Sequence, residues 1–136
     1  MTQAEPMSPP LWGLVIFIGW TIAVVIFLLA VRIRHLAAGG LPQDFGRPDD
    51  KSLLWRLFRV QANLVENLPL YLGAVFLLTV RDVSGTAVNF LAVAYMTARL
   101  LHSVIHMAGL DPRFRVFCLA MQLSCLMALM VMAIAG

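Results

Sequence analysis

Apolar residues run along this chain in four long blocks separated by short polar breaks. A helix needs about 20 mostly apolar residues to cross a bilayer core. The blocks predict spanning helices over about residues 11–31, 52–80, 86–107 and 113–135. The first block holds no charged residue. A polar, Pro-rich tail over residues 1–10, with Glu5 as its one acid, precedes it. A cleaved signal peptide carries positive charge before a shorter apolar core. Here the charge follows, at Arg32 and Arg34, so the segment reads as a retained helix. Residues 35–50 hold Gly39, Gly40, Pro42 and Pro48 and predict a loop. Asp49 or Asp50 is the expected N-cap of the second helix. That helix would be about 45 Å long at 1.5 Å per residue, so its first two turns, with Lys51 and Arg56, should stand outside the membrane. Pro69 lies inside it, frees the carbonyl of Val65 and predicts a kink. Arg81, Asp82, Ser84 and Gly85 form a turn. Gly109 is the expected stop of the third helix, with Asp111 as N-cap of the fourth and Pro112 at its first position.

Composition narrows the class. The chain has 136 residues, 61% hydrophobic and 12% charged, with a mean hydropathy of +0.87. Soluble domains carry about 25% charged residues. Disorder, a disulfide scaffold and an ordinary cytosolic domain are excluded, and an all-α membrane protein in one domain, residues 1–136, remains. A net charge of +3 and a pI near 9.4 do not indicate nucleic acid, because the basic residues form no stripe. Six of the ten Lys and Arg residues (Arg32, Arg34, Arg47, Lys51, Arg56 and Arg59) lie between the first span and the buried part of the second. Arg113 and Arg115 lie between the third and fourth, and Arg81 stands alone on the opposite side. The positive-inside rule puts both basic loops in the cytoplasm and both termini outside. Cys118 and Cys125 share a helical face about 10 Å apart along the axis, too far to bridge, and are expected to pack.

The spans are not wholly apolar. Arg56, Arg59, Asn63, Glu66 and Asn67 fall within about a 100° arc of the second helix. Tyr95, Arg99, His102 and His106 fall within about a 60° arc of the third. An acid near mid-span costs roughly 2.5–3.5 kcal/mol unless it faces protein or water, so both stripes are expected to point inward. A purely structural role is open to them, with Arg59 or Arg99 pairing with Glu66 between helices. A proton path through Glu66 and the histidines is another reading. Two histidines four residues apart have metal-ligand spacing, but no third ligand sits at a convincing distance in sequence, and no metal is expected. Arg113 and Arg115 sit in a first helical turn, where the dipole disfavours cations. Positive-inside topology explains them. Anion binding with the helix N–H groups is the alternative.

The segment Arg59-Val60-Gln61-Ala62-Asn63-Leu64-Val65-Glu66-Asn67-Leu68-Pro69-Leu70-Tyr71 resembles the signature of the MAPEG family, the membrane-associated proteins in eicosanoid and glutathione metabolism. The signature is Arg, three residues, Asn, two residues, Glu, two or three residues, Pro. Ala98-Arg99-Leu100-Leu101-His102 resembles a second family block. The resemblance runs from about residue 59 to the end. It implies a four-helix bundle assembled as a homotrimer, with glutathione between neighbouring subunits near the cytosolic face. Carried over by position, Arg59, Asn63 and Glu66 would bind the glutathione peptide, and Gln61 matches a contributing position in some members. Arg99 matches the arginine of the third-helix block, and His102 a position held by tyrosine or histidine. His106 and Asn67 stand where some members have tyrosine. The family's catalytic arginine aligns with Arg113 or with Arg115, depending on the member compared, with Arg113 slightly favoured.

The implied activity is a membrane-bound glutathione transferase or peroxidase, with glutathione as co-substrate and a hydrophobic electrophile or lipid hydroperoxide arriving from the bilayer. A free thiol is only a few per cent thiolate at neutral pH, and a nearby arginine raises that fraction. Arginine keeps its proton, so it acts as a fixed charge and not as a base. The alternative within the same fold is a non-catalytic protein that binds a lipid or a partner. A compact chain without an ER-retention motif fits a bacterial inner membrane.

Overall fold

The computed structural model describes residues 3–136, so Met1 and Thr2 of the polar tail lie outside the described residues. Four helices form the molecule: α1 (Pro9–Ala37), α2 (Leu53–Val80), α3 (Thr86–Met107) and α4 (Pro112–Ala135). A 3-10 turn, Pro42–Gly46, lies between α1 and α2, and no strand occurs among the described residues. All four helices are long and apolar enough to cross a membrane. They form an antiparallel bundle in which α1 packs chiefly on α2 and α3 on α4, with α1–α3 and α2–α4 contacts closing it.

The helix ends follow local chemistry. Pro9 opens α1, where its missing N–H costs nothing. The helix continues past Arg32 to Ala37, six residues beyond the expected apolar limit, with Arg34 and His35 in its last turn, where cations suit the dipole. The expected Asp49 or Asp50 cap of α2 is corrected to Ser52. Asp49 is used one step earlier: its carboxylate accepts the Lys51 N–H at 3.1 Å and its carbonyl the Ser52 N–H at 2.9 Å. That is the Asx-turn chemistry that competes with capping. α2 runs unbroken through Pro69.

Three fully buried rings hold the bundle centre. Tyr71 and Tyr95 stack at 4.8 Å, and Phe17 lies 6.0 and 6.4 Å from them. The Tyr71 hydroxyl donates to the Pro10 carbonyl at 2.8 Å, tying mid-α2 to the start of α1. Gln122 donates to the Ala98 carbonyl at 3.1 Å, tying α4 to α3. Both cysteines are free and buried on α4. The outer faces carry large exposed apolar side chains such as Ile26, Val93 and Val131, a surface suited to lipid or to neighbouring protein.

Candidate functional site

Polar residues gather at the end of the bundle where α2 begins, α3 ends and α4 begins. α3 stops in a Schellman turn: the Leu110 N–H reaches the Ile105 carbonyl at 3.1 Å and the Gly109 N–H reaches that of His106 at 3.2 Å. Gly109 has φ +68°, the left-handed conformation that favours glycine. The chain then turns directly into α4, where the Asp111 carboxylate accepts the Arg113 N–H at 2.9 Å. Arg56 fastens this corner to α2. Its Nε donates to the Met107 carbonyl at 3.0 Å, and its Nη1 to the carbonyls of Asp50 and Lys51, each at 3.0 Å. The tight turn brings the last turn of α3 beside the first turn of α4.

A cavity of about 250 Å³ opens between α2, α3 and α4. Its polar wall is Arg59 and Asn63 from α2, His102 and His106 from α3, and Arg115 from α4. Arg59 and Asn63 are four residues apart, as are His102 and His106, so each pair shares a helix face. The two imidazole rings lie 6.2 Å apart. Pro112, Val116 and Leu119 complete an apolar side. A smaller lobe of about 140 Å³ shares His106, Pro112 and Arg115 and adds Asp50 and Arg56. Guanidinium groups outnumber carboxylates around this space, which therefore attracts anions.

Half of the sequence-derived residues line the main cavity and half do not. Gln61, Glu66, Asn67, Arg99 and Arg113 are absent from its wall. Gln61 is two residues from Arg59 and so faces away from it. The Asn67 side chain donates back to the Asn63 carbonyl at 2.7 Å. Arg113 is exposed and lies between the wall residues Pro112 and Arg115 in the first turn of α4, without itself lining the cavity. The expectation that the whole α2 stripe points inward is corrected: Asn63 is half-buried, whereas Arg59 and Glu66 are exposed. A 100° stripe is wider than the strip that α3 and α4 cover, so its edge faces outward. Glu66 pairs with neither Arg59 nor Arg99; the one salt bridge among the described residues is His35–Asp44. Arg99 is wholly buried and donates to the Asn63 side-chain oxygen. Pro112, Val116, Leu119 and Asp50 were missed as wall residues. The spacing 112, 116, 119 marks one face of α4, but nothing in it singles out a cavity wall from ordinary packing.

A cationic cavity at one end of four membrane-length helices defines an integral, multi-pass membrane protein with a polar site set into one end of its bundle. The family model of the MAPEG family matches residues 10–135, and the chain belongs to that family. Membership supports, in general terms, a glutathione-related transferase or peroxidase or a related membrane function. No curated protein and no solved structure matches the chain.

Proposed function

We propose that the protein is a membrane-bound glutathione transferase or peroxidase that joins glutathione to hydrophobic electrophiles or reduces lipid hydroperoxides. The observation that carries this reading is the convergence of Arg59, Asn63, His102, His106 and Arg115 on one cavity. Glutathione is an anionic peptide with a thiol, and these groups complement it. Arg59 takes a carboxylate, Asn63 donates to the peptide, and Arg115 stabilises the thiolate. Arg115 is preferred to Arg113 because it lines the cavity and Arg113 does not. The thiolate displaces the leaving group of the electrophile, which departs with its electron pair. With a hydroperoxide, the thiolate takes one oxygen as the O–O bond breaks and an alcohol leaves; the thiol of a second glutathione then attacks the resulting sulfenic sulfur, closing the disulfide as the oxygen departs in water. The cavity is smaller than the roughly 300–1,000 Å³ of most ligand sites. A homotrimer completes it, with exposed Glu66 and Arg59 at the subunit boundary and Glu66 available to the peptide amino group. The host is a bacterial inner membrane, with the site on the cytoplasmic side and both termini outside.

The test mixes purified protein with glutathione and follows thiolate absorbance and conjugation of an aryl halide. Arg115→Ala should abolish both signals, and Arg113→Ala should retain them. Folded wild-type protein with neither signal overturns the activity, and the reverse pattern overturns the choice of arginine. A second reading rests on Glu66, which has no ion pair among the described residues. In a non-catalytic lipid- or partner-binding protein, the stripe serves assembly alone. Glu66→Gln then weakens the oligomer while glutathione leaves thermal stability unchanged.

A further inference from the structure

Among the described residues, Arg99 is the largest side chain wholly removed from solvent, at 0% exposure, and no carboxylate pairs with it. Its one hydrogen bond runs from Nη1 to the Asn63 Oδ1, while Nε and Nη2 have no partner. Its guanidinium lies 5.7 Å from the Phe17 ring and 5.9 Å from that of Tyr95, within cation–π range. A charge sealed in a bundle core without a counter-ion is costly, and helix association alone does not require it. Arg99 does not line the cavity, whereas Asn63 does.

The chemistry of the pair fixes an orientation. A guanidinium has only donors, so the carboxamide must turn its oxygen to Arg99. The Asn63 amide nitrogen is then the free end. Among the described residues it has no hydrogen-bond partner, and it is not one of the sealed, unpartnered groups. We infer that Arg99 is a positioning residue: it locks the Asn63 carboxamide so that its NH₂ faces the cavity as a donor. The site then reads an acceptor at that point, a peptide carbonyl or carboxylate oxygen. An unlocked asparagine presents oxygen or nitrogen indifferently and loses that selectivity. This assignment rests on the reading of the cavity as a glutathione site.

The experiment uses full-length protein in detergent micelles, labelled with ¹⁵N at asparagine. The chain has three asparagines, Asn63, Asn67 and Asn89, and Asn63→Asp identifies the Asn63 amide signal by its loss. Arg99→Met should broaden or double that signal, and Arg99→Lys should restore a single one. Glutathione affinity is measured in Arg99→Met, Asn63→Ala and the double variant. Arg99→Met should weaken binding about tenfold, and the double variant should bind no worse than Asn63→Ala alone. Asn63→Asp keeps the contact to Arg99 but offers an acceptor, so it should melt no lower than wild type yet bind glutathione at least as poorly as Asn63→Ala. An unchanged Asn63 signal in folded Arg99→Met, or additive losses in the double variant, overturns the inference. Should Arg99→Met fail to fold, the Asn63→Asp pair of readouts decides, and tight binding by that variant overturns it. Wild-type protein that ignores glutathione sinks the functional reading instead, and the amide signal still reports whether Arg99 fixes Asn63.

Discussion

Arg56→Ala tests whether the corner between α2, α3 and α4 is held as described. The Met107 carbonyl is one of the last four of α3, which have no partner within the helix. Arg56 Nε supplies one at 3.0 Å in a half-buried setting. Its other two bonds, to the Asp50 and Lys51 carbonyls, are exposed, and water replaces them at little cost. A hydrogen bond from a charged donor contributes about 1.5–3 kcal/mol. A cation near a helix C-terminus adds a few tenths. The expected loss is therefore about 2 kcal/mol. Arg56→Lys should recover about half, since an ammonium on a shorter reach serves one carbonyl well but not three. The assay is equilibrium unfolding in mixed micelles at rising SDS fraction, followed by circular dichroism. Arg34→Ala, in the last turn of α1 and exposed, is the control. Because Arg56 also walls the smaller lobe beside His106, the rise in melting temperature that the proposed function predicts with glutathione should shrink in Arg56→Ala. Stability within about 0.5 kcal/mol of wild type, as for an ordinary surface substitution, would refute the clamp.

Gly13→Ala places a methyl group against the Tyr71 hydroxyl and 3.1 Å from Met96 Cγ, and it should destabilise by about 1–3 kcal/mol. Gly19→Ala meets nothing within 4 Å and should gain about 0.5–1 kcal/mol of helix preference, so similar melting shifts in the two variants contradict the packing described. Tyr71→Phe removes the bond to the Pro10 carbonyl and should cost about 1 kcal/mol, yet it should relieve part of the Gly13→Ala penalty, which unfolding of the double variant measures. The His35 ring at 2.8 Å, with help from the Leu41 N–H, holds the Asp44 carboxyl below its ordinary pKa. A lowered carboxyl pKa stabilises the folded state above the ordinary carboxylate range. That contribution vanishes as pH falls through the lowered value. Melting temperature against pH should therefore slope downward into acid in wild type and flatten there in Asp44→Asn.

The number and order of the helices were legible in the sequence because each needs one long apolar block, and hydropathy alone reveals it. The Asp111–Pro112 start of α4 and the Gly109 stop were legible for a different reason: caps are local, set within three or four residues. The α2 cap was not, because three candidates (Asp49, Asp50 and Ser52) compete within four residues, and the Asp49 turn decides among them. Of the site, residues four apart on one helix were readable as faces. Which part of a face meets a neighbouring helix was not. Glu66 and Asn63 lie three residues apart on one stripe, yet one is exposed and the other touches Arg99. Arg113 and Arg115 likewise differ only in which of them the α3–α4 turn swings toward the cavity.

Depth along α3 explains why the polar groups are arranged as they are. His106 lies in the last turn, His102 one turn deeper, and Arg99 about 10 Å below His106 along the axis. The first two reach the cavity, and the third is sealed beneath it. Charge near the end of the bundle is cheap because water or headgroups reach it, whereas charge at the depth of Arg99 is not. Among the described residues, the hydrogen bond from that depth to the cavity wall runs from Arg99 to Asn63. Under the proposed reading, an anion entering beside Asn63 would meet the charges of Arg59 and Arg115 directly and the carboxamide donor that Arg99 orients. Such a ligand binds the folded bundle and not the separated helices, so its effect on stability should be larger than its contacts with exposed Arg59 alone would give.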